Sequence, residues 1–280
     1  MNTTQTTTPA LRVRAAFEAA RNEKRGVLIP YFMCGYPSAQ QSAEVVLAAA
    51  EAGADLIELG LPFSDPLADG ATIQHAGHLA LERGMTMRGC LEIARQVSAR
   101  SSVPLILMGY YNPLLSYGLE RFCQDAAAHG ACGLIIPDLP PDEADSLQEA
   151  AIAAGLTLIF LIPPTTPDER IAQIARRAAS IPGSFIYCVS LSGVTGASSK
   201  FEILPSLLAR IHGYTKEMGL PVVVGFGLTN PDHIAFITGL TDGSVVGTAL
   251  IKLLDQHAEH EQIAAIRTYI RSLYEATSWA

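Results

Sequence analysis

The sequence predicts an α/β fold, a single (β/α)8 barrel of the TIM type, and two observations support that prediction. Short apolar runs typical of buried parallel strands recur eight times along the chain. Helical stretches separate these runs, and 280 residues is close to the usual length of one such barrel. A doubly wound open sheet is the alternative. It is disfavoured because no Gly-x-Gly-x-x-Gly follows the first strand, where Cys34–Pro37 suits a tight turn.

The predicted strands are bounded by glycine, proline and polar residues, and the predicted helices are rich in Ala, Glu, Gln and Arg. The strands span Val27–Met33, Asp55–Gly60, Pro104–Met108, Gly133–Ile136, Thr157–Ile162, Ser184–Ser190, Pro221–Phe226 and Gly243–Val246. The helices between them span Ala39–Ala52, Ile73–Arg100, Leu119–His129, Glu143–Ala154, Asp168–Ala179, Ile203–Met218 and Pro231–Thr238. No linker or shift in composition divides this pattern, so one domain over residues 11–280 is expected.

The two ends of the chain add elements outside this repeat. Residues 1–10 are rich in threonine and lack an apolar anchor, which predicts a disordered leader. An extra helix before the barrel is predicted at Leu11–Arg25, with Gly26 as its C-cap. A short helix at Ala249–Leu254 follows the eighth strand, and a helix at Glu261–Glu275 closes the chain.

Composition limits the class of protein. The chain has 19 Lys and Arg against 27 Asp and Glu, a net charge of −8, and no basic run, which disfavours nucleic-acid binding. It has no run of about 18 apolar residues and no charged-then-apolar leader, so a soluble cytoplasmic protein without a membrane segment is expected. The 5 cysteines are scattered and form no Cys-x-x-Cys motif, which favours reduced thiols that fill the core.

The second predicted strand, Asp55–Gly60, contains a residue that its surroundings disfavour. Alternation places Leu56 and Glu58 on one face and Ile57 and Leu59 on the other. A strand that is apolar on both faces belongs in a covered parallel sheet, where burying an ionised carboxylate costs on the order of several kcal/mol. Glu58 is therefore expected to have a raised pKa, a partner, or a place in a wet pocket.

In this fold, chemistry takes place where the strands end and the following loops begin. Few ionisable residues lie at those ends, namely Glu58, Asp69, Tyr110, Asp138 and Tyr187. Glu58 on the strand and Asp69 in the adjoining loop indicate general acid–base chemistry. The alternative is that Glu58 forms a structural ion pair and Asp69 caps a helix. Two further choices stay open: Tyr187 points either into the pocket or toward the helices, and Asp138 either binds substrate or caps the next element.

Glycines follow the last two strands, in Gly225–Gly227 and in Gly247–Thr248. The second pair opens the short predicted helix, and the free N–H groups and dipole of a helix start bind anions without a lysine. The position after strands seven and eight is also the usual phosphate site of this architecture. A phosphate site is therefore predicted, although either glycine segment alone would also suit a tight turn.

The loop after the sixth strand, Ser192–Ser199, consists mainly of small residues and includes two glycines. Such a loop is expected to be mobile and to close over a ligand, excluding water, and an ordinary connection is the alternative. On closure, Thr195 would hydrogen-bond an acid such as Asp69, and Gly196 would offer an N–H group to the phosphate.

Other kinds of site find no support in the sequence. The histidines all fall in predicted helices or at their ends. His75 and His78 have a spacing seen in metal sites, but no inward carboxylate completes a ligand set, so no metal is expected. The sequence also lacks Gly-x-Ser-x-Gly, Ser-x-x-Lys and a lysine pointing inward from a strand, which disfavours covalent catalysis.

Five motifs occur in order at the predicted strand ends. They are Glu58–Gly70, Met108–Pro113, Pro137–Pro140, Ser192–Gly196 and Val224–Gly227. In these motifs, and from about Val27 to Leu254, the chain resembles the family of tryptophan synthase alpha subunits. The resemblance implies a lyase of tryptophan biosynthesis that cleaves indole-3-glycerol phosphate to indole and glyceraldehyde 3-phosphate.

The resemblance also implies roles for individual residues. Glu58 would protonate C3 of the indole ring and remove the proton of the C3′ hydroxyl. Asp69 would hold the indole N–H and stabilise positive charge on the ring, and Tyr187 aligns with an active-site tyrosine of the family. The substrate-binding positions implied are Tyr31, Ile73, Thr195 and Phe226, and the phosphate-binding positions are Gly196, Gly227, Gly247 and Thr248.

The resemblance further implies a partner, a pyridoxal-phosphate-dependent beta subunit in a heterotetramer of two alpha and two beta subunits. The partner would contact the loop Pro62–Asp69 and receive indole, and this chain itself would hold no cofactor. Leu191 departs from the family pattern, because some members have an arginine there that anchors the closed loop. A free-standing lyase, a non-catalytic allosteric subunit and a metal-dependent sugar-phosphate epimerase remain as alternatives.

Overall fold

The computed structural model describes residues 8–189, 197–225 and 227–279. Within them, parallel strands form a closed barrel in which each strand pairs with the next and the eighth pairs with the first. The predicted (β/α)8 barrel is therefore confirmed. No helix in the described ranges combines the length and the hydropathy that crossing a membrane requires.

The strands are short and buried. They are β1 (Val27–Met33), β2 (Ile57–Gly60), β3 (Leu105–Met108), β4 (Ala131–Ile135), β5 (Thr157–Ile162), β6 (Ile186–Val189), β7 (Val222–Gly225) and β8 (Gly243–Val246). The bounds of β1, β5 and β8 are those predicted, because each is a continuous apolar or small-residue run between clear breaks.

The helices lie outside the barrel and connect the strands. They are α1 (Pro9–Asn22), α2 (Ala39–Glu51), α3 (Ala71–Glu82), α4 (Met87–Ser98), α5 (Tyr111–Tyr117), α6 (Leu119–Ala128), α7 (Asp145–Ala153), α8 (Asp168–Ala179), α9 (Ala197–Thr215), α10 (Pro231–Thr238), α11 (Thr248–Gln256) and α12 (Gln262–Glu275). The extra helix before the barrel and the short helix after the eighth strand are both present, as α1 and α11.

The strand register determines which side chains point into the barrel. Register partners on neighbouring parallel strands have their side chains on the same side of the sheet. Tyr31 pairs with Glu58, which in turn pairs with Ile106. Further round the barrel, Leu161 pairs with Tyr187. Tyr31, Glu58 and Tyr187 line one cavity, so these register rows face the barrel interior.

Helix α1 packs against the amino-terminal end of the barrel. The Ala10 N–H donates to the Gly155 carbonyl at 2.9 Å, just before β5. The ring of Phe17 lies 5.3 Å from the ring of Phe185, just before β6. This helix therefore covers the end of the barrel opposite to the one where chemistry is expected.

The bounds predicted for α1 need correction at both ends. The helix begins at Pro9, so the last two residues of the predicted leader are helical, and residues 1–7 lie outside the described ranges. It ends at Asn22, and Gly26 is not its C-cap. Gly26 instead donates its N–H to the Thr277 carbonyl at 2.9 Å, which joins the start of β1 to the end of the chain.

The single helix predicted over Ile73–Arg100 is wrong, because two helices, α3 and α4, occupy that range. Gly84 follows α3 with φ +84°, a left-handed conformation that a helix cannot continue through. Thr86 then caps α4, its side chain accepting the Gly89 N–H at 3.1 Å. The apolar spacing is helical on both sides of the break, so periodicity alone missed it.

Two predicted loops are partly helical. The segment between the third predicted strand and the helix predicted at Leu119–His129 forms α5. Its Pro113 stands in the first turn, where a missing N–H is tolerated. The loop predicted over Ser192–Ser199 ends sooner than expected, because α9 begins at Ala197. The residues of that loop before Ala197 lie outside the described ranges.

Candidate active site

A cavity lined by both predicted acids opens at the carboxyl-terminal end of the barrel. It is lined by Tyr31, Glu58, Asp69, Ile73, Met108, Tyr187, Gly227, Val245, Gly247 and Thr248. Every described residue to which the resemblance assigned a catalytic, substrate-binding or phosphate-binding role is in this lining. The other candidates, Thr195, Gly196 and Phe226, lie outside the described residues. The barrel therefore brings together the acids and the glycine segments that the chain order separates.

Glu58 is buried within this cavity lining, with 1% of its surface exposed. It lies in β2 between Ile57 and Leu59, which are both fully buried. No described residue hydrogen-bonds its Oε1 atom. Burial, and to a smaller extent the charge of Asp69, raises the pKa of Glu58 to about 8. The carboxyl group is thus mainly protonated at neutral pH and able to donate a proton.

Asp69 lies in the loop between β2 and α3 and is only partly exposed. Burial raises its pKa to about 6, although a hydrogen bond from the Tyr110 hydroxyl acts in the opposite direction. As the pH rises, Asp69 loses its proton before Glu58 does. The negative charge of Asp69 therefore acts on Glu58, whereas Glu58 is still neutral when Asp69 ionises. The site therefore holds one ionised and one protonated carboxyl group over a range near neutral pH.

Tyr110 stabilises the ionised form of Asp69 and anchors its loop. Its hydroxyl accepts the Ala68 N–H at 3.0 Å, and its hydrogen bonding lowers the pKa of Asp69. Its ring lies 5.3 Å from the ring of Phe63 in the same loop. The sequence indicated Tyr110 only as an ionisable residue at a strand end. The adjacency of β2 and β3 is the signal that would have connected it to Asp69.

Tyr187 points into the cavity and not toward the helices, which settles the choice that alternation left open. Its phenol extends across the neighbouring strand onto Gly225. A Cβ atom at residue 225 would lie 2.0 Å from the Tyr187 hydroxyl oxygen, so a glycine is needed there. Burial raises the pKa of Tyr187 well above its ordinary value, and its hydroxyl is therefore neutral.

The cavity also contains backbone suited to binding an anion. Gly227 has φ +82°, a conformation that L-residues with side chains rarely adopt. Gly247 precedes α11, which begins at Thr248, and no side chain caps this fully described helix start. The first N–H groups of a helix have no partner within the helix, and the dipole makes that end partly positive. These groups can bind a phosphate.

Asp138 lies outside this lining and caps a helix. Its carboxylate accepts the Tyr111 N–H, with distances of 2.9 Å and 3.2 Å to the two oxygens, at the start of α5. Of its two open roles, the structure shows capping. The His78 side chain is 70% exposed and pairs with Glu82 at 3.1 Å, one turn along α3. Across the described ranges, no three His, Cys, Asp or Glu side chains converge on a possible metal site.

Comparison with known proteins agrees with this geometry. The model of a family described as "Tryptophan synthase alpha chain" matches residues 17–277. The chain belongs to this family. The tryptophan synthase alpha chain of Chloroflexus aggregans is 47% identical over 267 residues, covering 95% of this chain and 98% of the relative. The corresponding protein of Geobacter sulfurreducens is 40% identical over 265 residues, with coverage of 95% and 98%.

Solved structures of the tryptophan synthase alpha chain family have the same fold. A chain of Mycobacterium tuberculosis tryptophan synthase superposes with a TM-score of 0.86 at 34% identity, covering 96% of this chain and 99% of that one. The alpha subunit from Legionella pneumophila gives a TM-score of 0.85 at 32% identity, with coverage of 95% and 98%.

Membership of the tryptophan synthase alpha chain family defines the reaction class. The family's known role is the cleavage of indole-3-glycerol phosphate, a lyase half-reaction of tryptophan biosynthesis, so the predicted function is confirmed at that level. In this family the pyridoxal phosphate belongs to the beta subunit and not to the alpha chain. A beta-subunit partner is likewise a property of the family.

Sequence reasoning missed two residues of this tryptophan synthase alpha chain site and assigned no role to a third, Tyr110. Met108 and Val245 line the cavity, and Tyr110 holds Asp69 from just outside it. The two apolar residues lie in strands whose other members are core, and no local pattern separates a cavity wall from a core position. The pairing of β3 with β2 places Met108, and closure of the barrel through β8 places Val245, in the cavity that Glu58 lines.

Proposed function

We propose that this chain cleaves indole-3-glycerol phosphate with Glu58 as the general acid and base. One observation supports this assignment above the others. Glu58 is a buried carboxyl group with a raised pKa, and it lines the same cavity as a second acid and a helix start that can bind phosphate. A substrate with a phosphate at one end and an indole ring at the other requires that combination.

The cleavage needs two proton transfers. Protonated Glu58 donates its proton to C3 of the indole ring, and the resulting carboxylate removes the proton of the C3′ hydroxyl. The bond between C3 and C3′ then breaks. Its electron pair returns to the ring to give indole, and the C3′ oxygen becomes the carbonyl of glyceraldehyde 3-phosphate. A pKa of about 8 lets one carboxyl group donate and then accept near neutral pH.

The protonated ring carries a positive charge on its nitrogen, and Asp69 is proposed to stabilise it. With a pKa of about 6, Asp69 is ionised at neutral pH while Glu58 is not. An ionised acceptor fixed by Tyr110 is already oriented when that charge develops. Tyr31, Ile73 and Phe226 are proposed as walls for the ring.

The phosphate is proposed to bind at Gly227, Gly247 and Thr248, with Gly196 adding a further N–H group. The first three line the same cavity as Glu58, and Thr248 begins α11. Tyr187, with its neutral hydroxyl, is proposed as the remaining active-site side chain, and Thr195 as the partner of Asp69 on loop closure.

An indole-release assay on purified protein tests the catalytic assignment. Glu58→Gln keeps the shape of the side chain but cannot exchange a proton, so indole formation should fall by about 1,000-fold or more. Glu44→Gln is the matched control, because Glu44 lies on the surface in a pair with Arg100 and should retain full activity. Wild-type activity in Glu58→Gln would assign the proton transfer to another group.

We also propose a complex of two such chains with two beta subunits. Two apolar residues are exposed at the catalytic end of the barrel, Leu67 after β2 at 92% and Leu115 in α5 at 55%. Exposed apolar side chains around a cavity mouth favour a protein partner there. A cytoplasmic location is part of the same proposal, since all cysteines are free and buried, as suits a reducing compartment.

Titration with a beta subunit tests this part of the proposal. Indole formation should rise as the beta subunit is added, and Leu67→Asp should weaken that activation without reducing the basal rate. A full rate in isolation would indicate a free-standing lyase. Binding of the beta subunit without any indole formation would instead indicate a non-catalytic subunit.

A further inference from the structure

The loop after β1 is attached to the far end of the helix that begins at the phosphate site. Tyr36 in this loop is 6% exposed, and its hydroxyl donates a short hydrogen bond to Oδ1 of Asp255. Asp255 lies in the last turn of α11, 219 residues along the chain from Tyr36. Burial, followed by this hydrogen bond, raises the pKa of Tyr36, so the hydroxyl remains a donor.

Asp255 stands at a position that its own helix disfavours. The carboxyl-terminal end of a helix carries the negative end of the dipole, which repels an ionised carboxylate. The Tyr36 hydroxyl supplies a compensating donor from outside the helix. The bond joins the buried Tyr36, in the loop after β1, to an exposed acid in the last turn of α11.

The same segment of chain also contacts the other end of α11. Tyr31, five residues before Tyr36, packs on Gly247, where an added Cβ would lie 3.3 Å from the Tyr31 Cβ. Helix α11 is thus attached at both ends to residues 31–36. Its nine residues span about 13 Å, and buried Leu250 and Leu254 hold its inner face.

We propose that Tyr36 and Asp255 are positioning residues that set the distance between the phosphate site and the indole-binding wall. This inference rests on the proposed function, because it assumes that α11 binds the phosphate and that Tyr31 contacts the ring. Neither residue lines the cavity or touches the reacting atoms. Their bond determines where the helix start lies relative to Tyr31 and Glu58.

Binding of glycerol 3-phosphate and steady-state cleavage test the proposal. Tyr36→Phe removes only the donor. It should weaken glycerol 3-phosphate binding and raise KM by on the order of tenfold, with a much smaller change in kcat, because Glu58 and Asp69 keep their positions. Asp255→Ala should give the same loss, and the double variant should add little to it. Asp255→Asn keeps an acceptor and should retain binding.

Tyr117→Phe is the matched control, because the Tyr117 hydroxyl also donates to an aspartate, Asp125, at 2.7 Å, but outside the cavity lining. It should leave binding and KM unchanged. If Tyr36→Phe lowers the unfolding temperature but binds glycerol 3-phosphate as wild type does, the bond is merely structural and this inference is overturned. If the wild type itself does not bind glycerol 3-phosphate, the proposed phosphate site fails, and this inference fails with it.

Discussion

The phenol of Tyr31 lies directly over the backbone of Gly60 on the neighbouring strand. A Cβ atom at residue 60 would be 2.0 Å from the Tyr31 hydroxyl oxygen and 2.5 Å from Cζ of its ring. Tyr31 pairs with Glu58 in the register, so the ring reaches the strand position directly above the proposed catalytic acid. The absence of a side chain at Gly60 therefore determines where this cavity wall stands.

Gly60→Ala is expected to inactivate the enzyme without unfolding it. The added methyl group would push the Tyr31 ring into the space where the indole ring is proposed to bind. Displacing a reacting group by about 1 Å can reduce kcat/KM by about 100-fold, and a loss of that order is expected in the indole assay.

Gly213→Ala serves as the control for that substitution. Gly213 lies in α9, and a Cβ there would meet nothing within 4 Å. The activity of the Gly213→Ala variant should be unchanged, and its free energy of unfolding should rise by about 0.5–1 kcal/mol, because alanine favours a helix. Normal kcat/KM in Gly60→Ala would show that the Tyr31 ring is not part of the substrate site.

The pH dependence of kcat/KM should be bell-shaped. Activity needs ionised Asp69, so the rate should fall as pH drops below a pKa near 6. It also needs protonated Glu58, so the rate should fall as pH rises above a pKa near 8. In Asp69→Asn the acid limb should disappear, and the alkaline limb should remain but move to lower pH, because the charge of Asp69 no longer helps to raise the pKa of Glu58. An unchanged acid limb in that variant would assign the lower pKa to another group.

Tyr110→Phe should move the acid limb to higher pH. The Tyr110 hydroxyl lowers the pKa of Asp69 by donating to its ionised form, and removing that donor lets burial act unopposed. A pH profile measured beside that of Tyr111→Phe tests this, since Tyr111 lies outside the cavity lining and its backbone N–H donates to Asp138. If the acid limb of Tyr110→Phe lies at the same pH as in the wild type, the predicted hydrogen bond between Tyr110 and Asp69 is contradicted.

Stability should fall as pH rises, because of Glu58. Its pKa is about 8 in the folded chain against 4.5 in the unfolded one, so the folded state binds the extra proton between those values. The free energy of unfolding should therefore decrease progressively from about pH 4.5 to pH 8, by a few kcal/mol at most. Urea unfolding at several pH values should show this slope in the wild type and lose most of it in Glu58→Gln.

The buried pair of Arg25 and Asp55 should be important for stability. Two bonds of 2.7 Å join the side chains, and Asp55 also accepts the Leu28 N–H at 2.8 Å. Asp55→Ala leaves the buried guanidinium with only the exposed Glu23 as an ionic partner and removes the acceptor of the Leu28 N–H, so it should cost about 3–5 kcal/mol in urea unfolding. Glu51→Ala, which breaks an exposed pair with Arg267, should cost less than about 1 kcal/mol. Equal losses of unfolding free energy in Asp55→Ala and Glu51→Ala would show that burial does not make the pair of Arg25 and Asp55 more important.

Several features could be predicted from the sequence because they depend on local burial. Runs such as Val27–Met33 and Thr157–Ile162 are apolar on both faces, which only a covered parallel sheet accommodates. Glu58 stood out within such a run, and the structure places it in the barrel cavity. The break at Gly84 was missed, because a left-handed glycine does not disturb the apolar spacing around it.

By itself the sequence determined the barrel, its order of strands and the presence of an acid on a buried strand, since these follow from patterns within a few residues. Only the tertiary structure decided that Tyr187 faces inward, that Tyr110 holds Asp69, and that Tyr36 bonds Asp255. The physical reason is that such pairs depend on the register and closure of the barrel, which bring side chains together from distant parts of the chain.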